Sequence, residues 1–241
     1  MLKILQISDL HLSSKVLPNI QNIIIDTWNN FEWALSVAIQ LSPDVVVITG
    51  DICLETGELE TYKKVKSKLD VLNIPYFVIP GNHDCPQMIA DIFQLPIQNG
   101  KICSFTKEFK NITLGFLDSS DFILNENELD NLLHKRVHYI FVHHPILLGS
   151  SKFMDKNYPL KNINEIYSII QAIKHKIVFF HGHYHADLCL TVNNAISFIT
   201  PSIFYQIETF TEDLTISGVQ PGLRWIEIEN HTKFKTFTKY K

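Results

Sequence analysis

Five short polar stretches carry residues able to hold a metal ion, and each follows a run of apolar, mostly β-type residues: Ser8-Asp9-Leu10-His11, Gly50-Asp51, Gly81-Asn82-His83-Asp84, His143-His144-Pro145 and Gly182-His183-Tyr184-His185. Imidazole nitrogen with carboxylate and carboxamide oxygen makes a borderline donor set, suited to iron, manganese, zinc or cobalt rather than to calcium or a thiolate-loving ion. Asp9 and His11 stand two apart, so on an extended segment both side chains point the same way and can reach one ion. His183 and His185 repeat that spacing on the far side. Asp51 has two oxygens and can bridge two ions about 3.5–4 Å apart, the separation found in two-metal hydrolytic sites. Two divalent ions outweigh the charges of Asp9 and Asp51, and the neutral donors Asn82 and histidine leave the field positive. Such a field lowers the pKa of a bridging water and stabilises charge on phosphoryl oxygens. The chemistry is therefore hydrolysis of a phosphate ester by metal hydroxide, with His83 placed beside Asn82 to protonate the leaving alkoxide.

The weight lies in the set. A lone D-x-H is ordinarily a turn with a surface histidine, and Gly-Asn-His-Asp also suits a turn. All five together, each at a strand end, are specific. His134, His138, His175 and His231 fall outside and read as surface or structural residues, and Lys63, Lys64, Lys66 and Lys68 read as the solvated face of a helix.

Ligands so distant in sequence converge if parallel strands gather their carboxyl ends along one sheet edge. The pattern predicts a strand over 2–7, a helix from about Thr27 to Leu41 with Trp28, Phe31, Leu35, Ala38 and Ile39 on one face, and a buried strand over 45–49. A second helix from about Glu58 to Leu72 and a strand over 74–79 complete a run of βαβ crossovers. Strands near 102–105 and 112–117, a helix from about Glu126 to Leu133 and a strand over 137–142 follow. Leu147 to Asn162 reads as a long loop bordering the site. A helix from about Asn164 to Lys174 and a strand over 177–180 precede a strand-rich end, with strands at 196–199, 203–207, 223–228 and 234–237. The βα first half and strand-rich second half are expected to form layers of one sandwich.

The chain has 241 residues, 46% hydrophobic and 19% charged, which predicts a single domain over 1–241. A net charge of -4 and a pI near 6.2 provide no broad basic field, so nucleic acid is not the favoured partner. No segment approaches the roughly 20 continuous apolar residues of a membrane span, and the first strand starts without a signal stretch. A cytoplasmic, soluble protein with no membrane partner is expected. Cys53, Cys85, Cys103 and Cys189 show no C-x-x-C pair and read as reduced thiols.

The ordered set D-x-H, G-D, G-N-H-D, H-x-P and G-H-x-H over residues 9–185 resembles the calcineurin-like metallophosphoesterase superfamily. The resemblance implies an α/β fold, a four-layer αββα sandwich with two mixed sheets flanked by helices. It implies one ion held by Asp9, His11, Asp51 and His185, the other by Asp51, Asn82, His143 and His183, with His83 catalytic. Substrate contacts would fall on His11, Asp51, Asn82, His83 and His185. His144 is assigned to the surroundings of the ligands, and His181 has no assigned role. Leu117-Asp118-Ser119, Gly149 to Asp155 with Leu160-Lys161-Asn162, Thr200-Pro201-Ser202, Gln206 and Pro221 to Arg224 are most similar to bacterial class III 3′,5′-cyclic AMP phosphodiesterases. The stretch Ser120 to Glu126 is shorter than the corresponding family loop. The implied reaction is hydrolysis of 3′,5′-cyclic AMP to 5′-AMP. The alternatives are another small-molecule diester, such as a 2′,3′-cyclic nucleotide, a glycerophosphodiester or a nucleotide-sugar pyrophosphate, or a non-catalytic scaffold, which would be expected to have lost ligands.

Overall fold

The computed structural model describes all 241 residues. Eleven principal strands are numbered in chain order: β1 (Leu2–Ile7), β2 (Val45–Thr49), β3 (Tyr76–Ile79), β4 (Phe105–Phe109), β5 (Ile112–Leu117), β6 (Tyr139–Val142), β7 (Ile177–His181), β8 (Leu188–Val192), β9 (Ala195–Ile199), β10 (Gly222–Ile228) and β11 (Phe234–Tyr240). The helices are α1 (Thr27–Leu41), α2 (Leu59–Asp70), α3 (Pro86–Phe93), α4 (Glu126–His134), α5 (Lys152–Asn157) and α6 (Ile163–Ala172). One sheet runs β11-β10-β1-β2-β3 and the other β8-β9-β7-β6-β5-β4. Parallel pairs β1–β2–β3 form the middle and one edge of the first sheet, and β5–β6–β7–β9 the middle of the second; antiparallel strands complete both.

Period-two alternation sorts the strand side chains into layers. Leu2, Ile4, Val45, Val47 and Ile226 from the first sheet pack against Leu114, Phe116, Tyr139, Phe141, Val178 and Phe180 from the second. Their alternates Leu5, Ile7, Val46 and Ile48 face α1, α2 and α3, while Ile140, Val142, Ile177 and Phe179 face α4 and α6. Each fully buried aliphatic or aromatic side chain contributes about 1.5–3 kcal/mol. The double burial explains why these strands are continuous apolar runs.

The helices begin where the sequence offers caps. The Asp26 side chain accepts from the Asn29 N–H at 2.9 Å to open α1, and Asn125 caps α4. Pro86 starts α3, a position that needs no N–H donor. On α1, Phe31, Leu35 and Ala38 are buried as the spacing predicts, but Ile39 is 66% exposed. The expected loop at 147–162 contains α5, and the expected strand at 203–207 shortens to Gln206–Ile207, paired with Ile216–Gly218. The strand expected near 102–105 divides into the short Lys101–Ile102 and the start of β4. The last strand extends to Tyr240, and β8 is a further strand beyond those the sequence predicts.

Candidate metal centre

All five motifs lie just beyond strands β1, β2, β3, β6 and β7. Their backbones are stitched together: the Asp9 N–H donates to the Gly50 carbonyl at 3.1 Å, His11 N–H to Asp51 at 2.9 Å, and Gly182 N–H to His143 at 3.1 Å. Two glycines make this closeness possible. A Cβ on Gly81 would stand 2.2 Å from Asp51 Oδ1, and one on Gly182 would stand 1.9 Å from Ser8 Oγ and 2.5 Å from Asp9 Oδ2.

Asp9 and His11 do not lie on an extended segment: their φ angles are 53° and 44°, and Asp51, His183 and His185 share the left-handed region at 49°, 67° and 49°. Such residues cost on the order of 1–3 kcal/mol each, a strain that concentrates at functional sites. The side chains still converge. Ligand atoms lie within 4.8 Å of one another in four overlapping groups: Asp9, His11 and His185; His11, Asp51 and His83; Asp9, Asp51 and His143; His143, His144 and His183.

The histidine rings are oriented by backbone carbonyls. His143 Nδ1 donates to Thr49 at 2.7 Å, His185 Nδ1 to Tyr205 at 3.0 Å, His183 Nε2 to Tyr158 at 3.0 Å, and His11 Nδ1 faces Leu54 at 3.5 Å. Each ring thereby turns its other nitrogen inward, toward the carboxylates. His11 Nε2 and His185 Nε2 then face each other at 3.1 Å, an arrangement that suits a shared cation. Asp51 Oδ1 accepts from the His83 N–H at 2.9 Å, leaving Oδ2 at 3.4 Å from His143 Nε2 and 3.8 Å from His11 Nε2. Asp9 accepts from the His183 N–H at 2.9 and 3.1 Å and lies 3.4 Å from His185 Nε2. Asn82 Oδ1 is 3.3 Å from His143 Nε2. The nitrogen and oxygen donors, converging on one buried patch, fit divalent transition ions.

The electrostatics of the donors agree with that fit. Burial pushes His11 and His183 down to about 3, so both are neutral donors. Burial also opposes charge on His143, yet Asp51 and Asp9 beside it, with the Thr49 carbonyl, hold its pKa up at about 9. Burial opposes ionisation of Asp9 and Asp51, but facing histidines keep both below the usual carboxylate range. A cation would take over the role of that His143 proton.

His83 lines the cleft beside Asn82, its ring edge-on to His11 at 5.0 Å and its Nδ1 buried without a partner. His144 is buried, bonded through Nδ1 to Ser119 Oγ at 2.8 Å. His181 closes β7 and its Nδ1 donates to the Val142 carbonyl at 3.1 Å. The short 120–126 loop borders the site: the Phe122 ring lies 4.5 Å from His144 and 5.8 Å from His183.

Asp84, the last residue of the Gly81-Asn82-His83-Asp84 stretch, is a positioning residue. Its carboxylate accepts from Gly81 N–H at 2.9 Å, Ile52 N–H at 3.1 Å, Cys53 N–H at 3.2 Å and Tyr62 Oη at 2.9 Å, joining two ligand loops. Burial, then the neighbouring Asp51, raises its pKa to about 6. The set-aside residues behave differently: His138 packs on His175 and His231, and Lys63 and Lys66 pair with Glu60 and Asp70 on the solvent face of α2.

Fold and donors define a metal-dependent phosphoesterase, and the chain belongs to the calcineurin-like phosphoesterase family, whose sequence model matches residues 2–187. It is a metal-dependent phosphodiesterase. A probable cyclic nucleotide phosphodiesterase of Fibrobacter succinogenes is 30% identical over 98% of this chain and 93% of its own length. The 3′,5′-cyclic adenosine monophosphate phosphodiesterase CpdA of Haemophilus influenzae is 25% identical over 99% of this chain and 89% of its own. Among solved structures, a dimetal phosphatase from Danio rerio superposes with a TM-score of 0.66 over 98% of each chain at 12% identity, a likeness of fold. No helix is long and apolar enough to cross a membrane.

Proposed function

We propose that this chain hydrolyses 3′,5′-cyclic AMP to 5′-AMP, using two divalent ions, iron, manganese, zinc or cobalt. Asp9, His11, Asp51 and His185 hold one ion, and Asp51, Asn82, His143 and His183 the other. The observation that carries this reading is the convergence of Asp9, His11, Asp51, His143, His183 and His185, with Asn82 Oδ1 beside His143, in a chain related over nearly its whole length to cyclic nucleotide phosphodiesterases. We also read residues 1–241 as one domain. A cytoplasmic setting accords with four free thiols, at Cys53, Cys85, Cys103 and Cys189.

When bound, the ions supply Lewis acidity, neutralising phosphoryl charge and making water a better nucleophile. The chain's own residues do the rest. His11, Asp51, Asn82, His83 and His185 line the cleft that receives the phosphate. Attack of water on phosphorus breaks the bond to the 3′ oxygen, and His83 gives the departing alkoxide its proton. The backbone N–H of the same residue donates to Asp51 Oδ1 at 2.9 Å, so the backbone of the proposed proton donor also positions that carboxylate.

The test is product analysis. Metal-loaded protein is expected to convert 3′,5′-cyclic AMP to 5′-AMP alone, with loss of turnover in EDTA. No turnover of cyclic AMP beside good turnover of a 2′,3′-cyclic nucleotide or glycerophosphodiester would overturn the substrate assignment.

A further inference from the structure

Two residues of the cleft are tied by their own backbones to the candidate ligands. The Tyr158 carbonyl accepts from His183 Nε2 and the Tyr205 carbonyl from His185 Nδ1, each at 3.0 Å. Both tyrosines are among the residues that line the cleft containing Asp51, Asn82 and His83, a space of about 190 Å3. The Tyr205 ring lies 4.6 Å from the His185 imidazole, and the Tyr158 ring 6.5 Å from His183. The rest of that wall is apolar, made by Phe153, Met154, Ile207 and Leu214. No lysine or arginine lines the cleft, so a second phosphate beyond the reacting one would find no side-chain cation. An uncharged flat group does find a surface, because aromatic side chains accept the π-face of any base.

We propose that Tyr158 and Tyr205 form the recognition surface for a planar aromatic group of the diester, and that their carbonyls link this recognition to the orientation of His183 and His185. On the cyclic-nucleotide reading, on which this rests, the group is the nucleobase. Tyr158 is 45% exposed, so its ring is accessible to a base entering from solvent.

The test compares 3′,5′-cyclic AMP with ribose 3′,5′-cyclic phosphate lacking the base, which has the same phosphorus and the same leaving oxygen. Metal-loaded native protein should favour the nucleotide by about 5- to 100-fold in kcat/KM, the range expected for stacking on aromatic side chains. Tyr158→Leu and Tyr205→Leu should shrink that ratio toward one, chiefly through KM, while Tyr158→Phe and Tyr205→Phe keep most of it. Metal content should be unchanged in all four, because the carbonyls remain. A binding arm uses 5′-AMP against ribose 5-phosphate on the same proteins, and preference for the nucleotide should fall in the leucine variants. A native ratio near one, or equal losses on both substrates, overturns the proposal. If cyclic AMP is not turned over but 5′-AMP binding depends on the tyrosines, the recognition surface stands and the cyclic substrate does not. If cyclic AMP is turned over and neither leucine variant alters the ratio or the binding, the surface alone is refuted.

Discussion

Asp51→Ala is expected to release more than one equivalent of metal and to lower kcat/KM by at least about 10³-fold, because the two ions together supply several kcal/mol of transition-state stabilisation. Asp51 Oδ2 is the carboxylate oxygen close to both His143 and His11, while Oδ1 is held by the His83 N–H. Removing it takes a donor from both proposed ion positions and a tether from the proposed acid. Asn82→Ala should weaken mainly one position, since Asn82 is proposed as a ligand of one ion only. Metal analysis of the two purified variants tests the difference. Two tightly held ions in Asp51→Ala would remove the bridging role.

His83→Ala is expected to keep its metal and lose about 10²- to 10⁴-fold in kcat on diesters with an alkoxide leaving group, the usual worth of general-acid help. An aryl leaving group needs less protonation, so the loss there should be smaller. The His83 ring nitrogen is also close enough to His11 and Asp51 to act as a metal donor, which makes the metal content of this variant informative. A loss of one equivalent would make His83 a ligand, and equal losses on both leaving groups would argue against proton donation.

Much of the site was legible because its donor types are unusual at the ends of apolar strands. Parallel pairing of β1–β2–β3 and β5–β6–β7 then brings those ends together. The two-residue separation of Asp9 and His11 is legible in the sequence, but their left-handed backbone, hydrogen-bonded to the β2 loop, is not. Asp84 escaped for a related reason. Its partners Ile52, Cys53 and Tyr62 come from another stretch of chain, and a motif read along the sequence does not reveal them. Helix α5, six residues long, is too short to show a period. Strand β8 alternates half-buried and exposed residues at a sheet edge, a weaker signal than the doubly buried central strands. Tyr158 and Tyr205 sit where ordinary packing aromatics also sit, and only the folded chain shows both beside the donor patch.

The most direct measurement is a titration of fully chelated protein with manganese, following bound metal and hydrolysis of 3′,5′-cyclic AMP in the same samples. Two-ion catalysis requires that activity rise with occupancy and reach its plateau at two equivalents per chain. A plateau at one equivalent, or turnover that survives complete chelation, would contradict it.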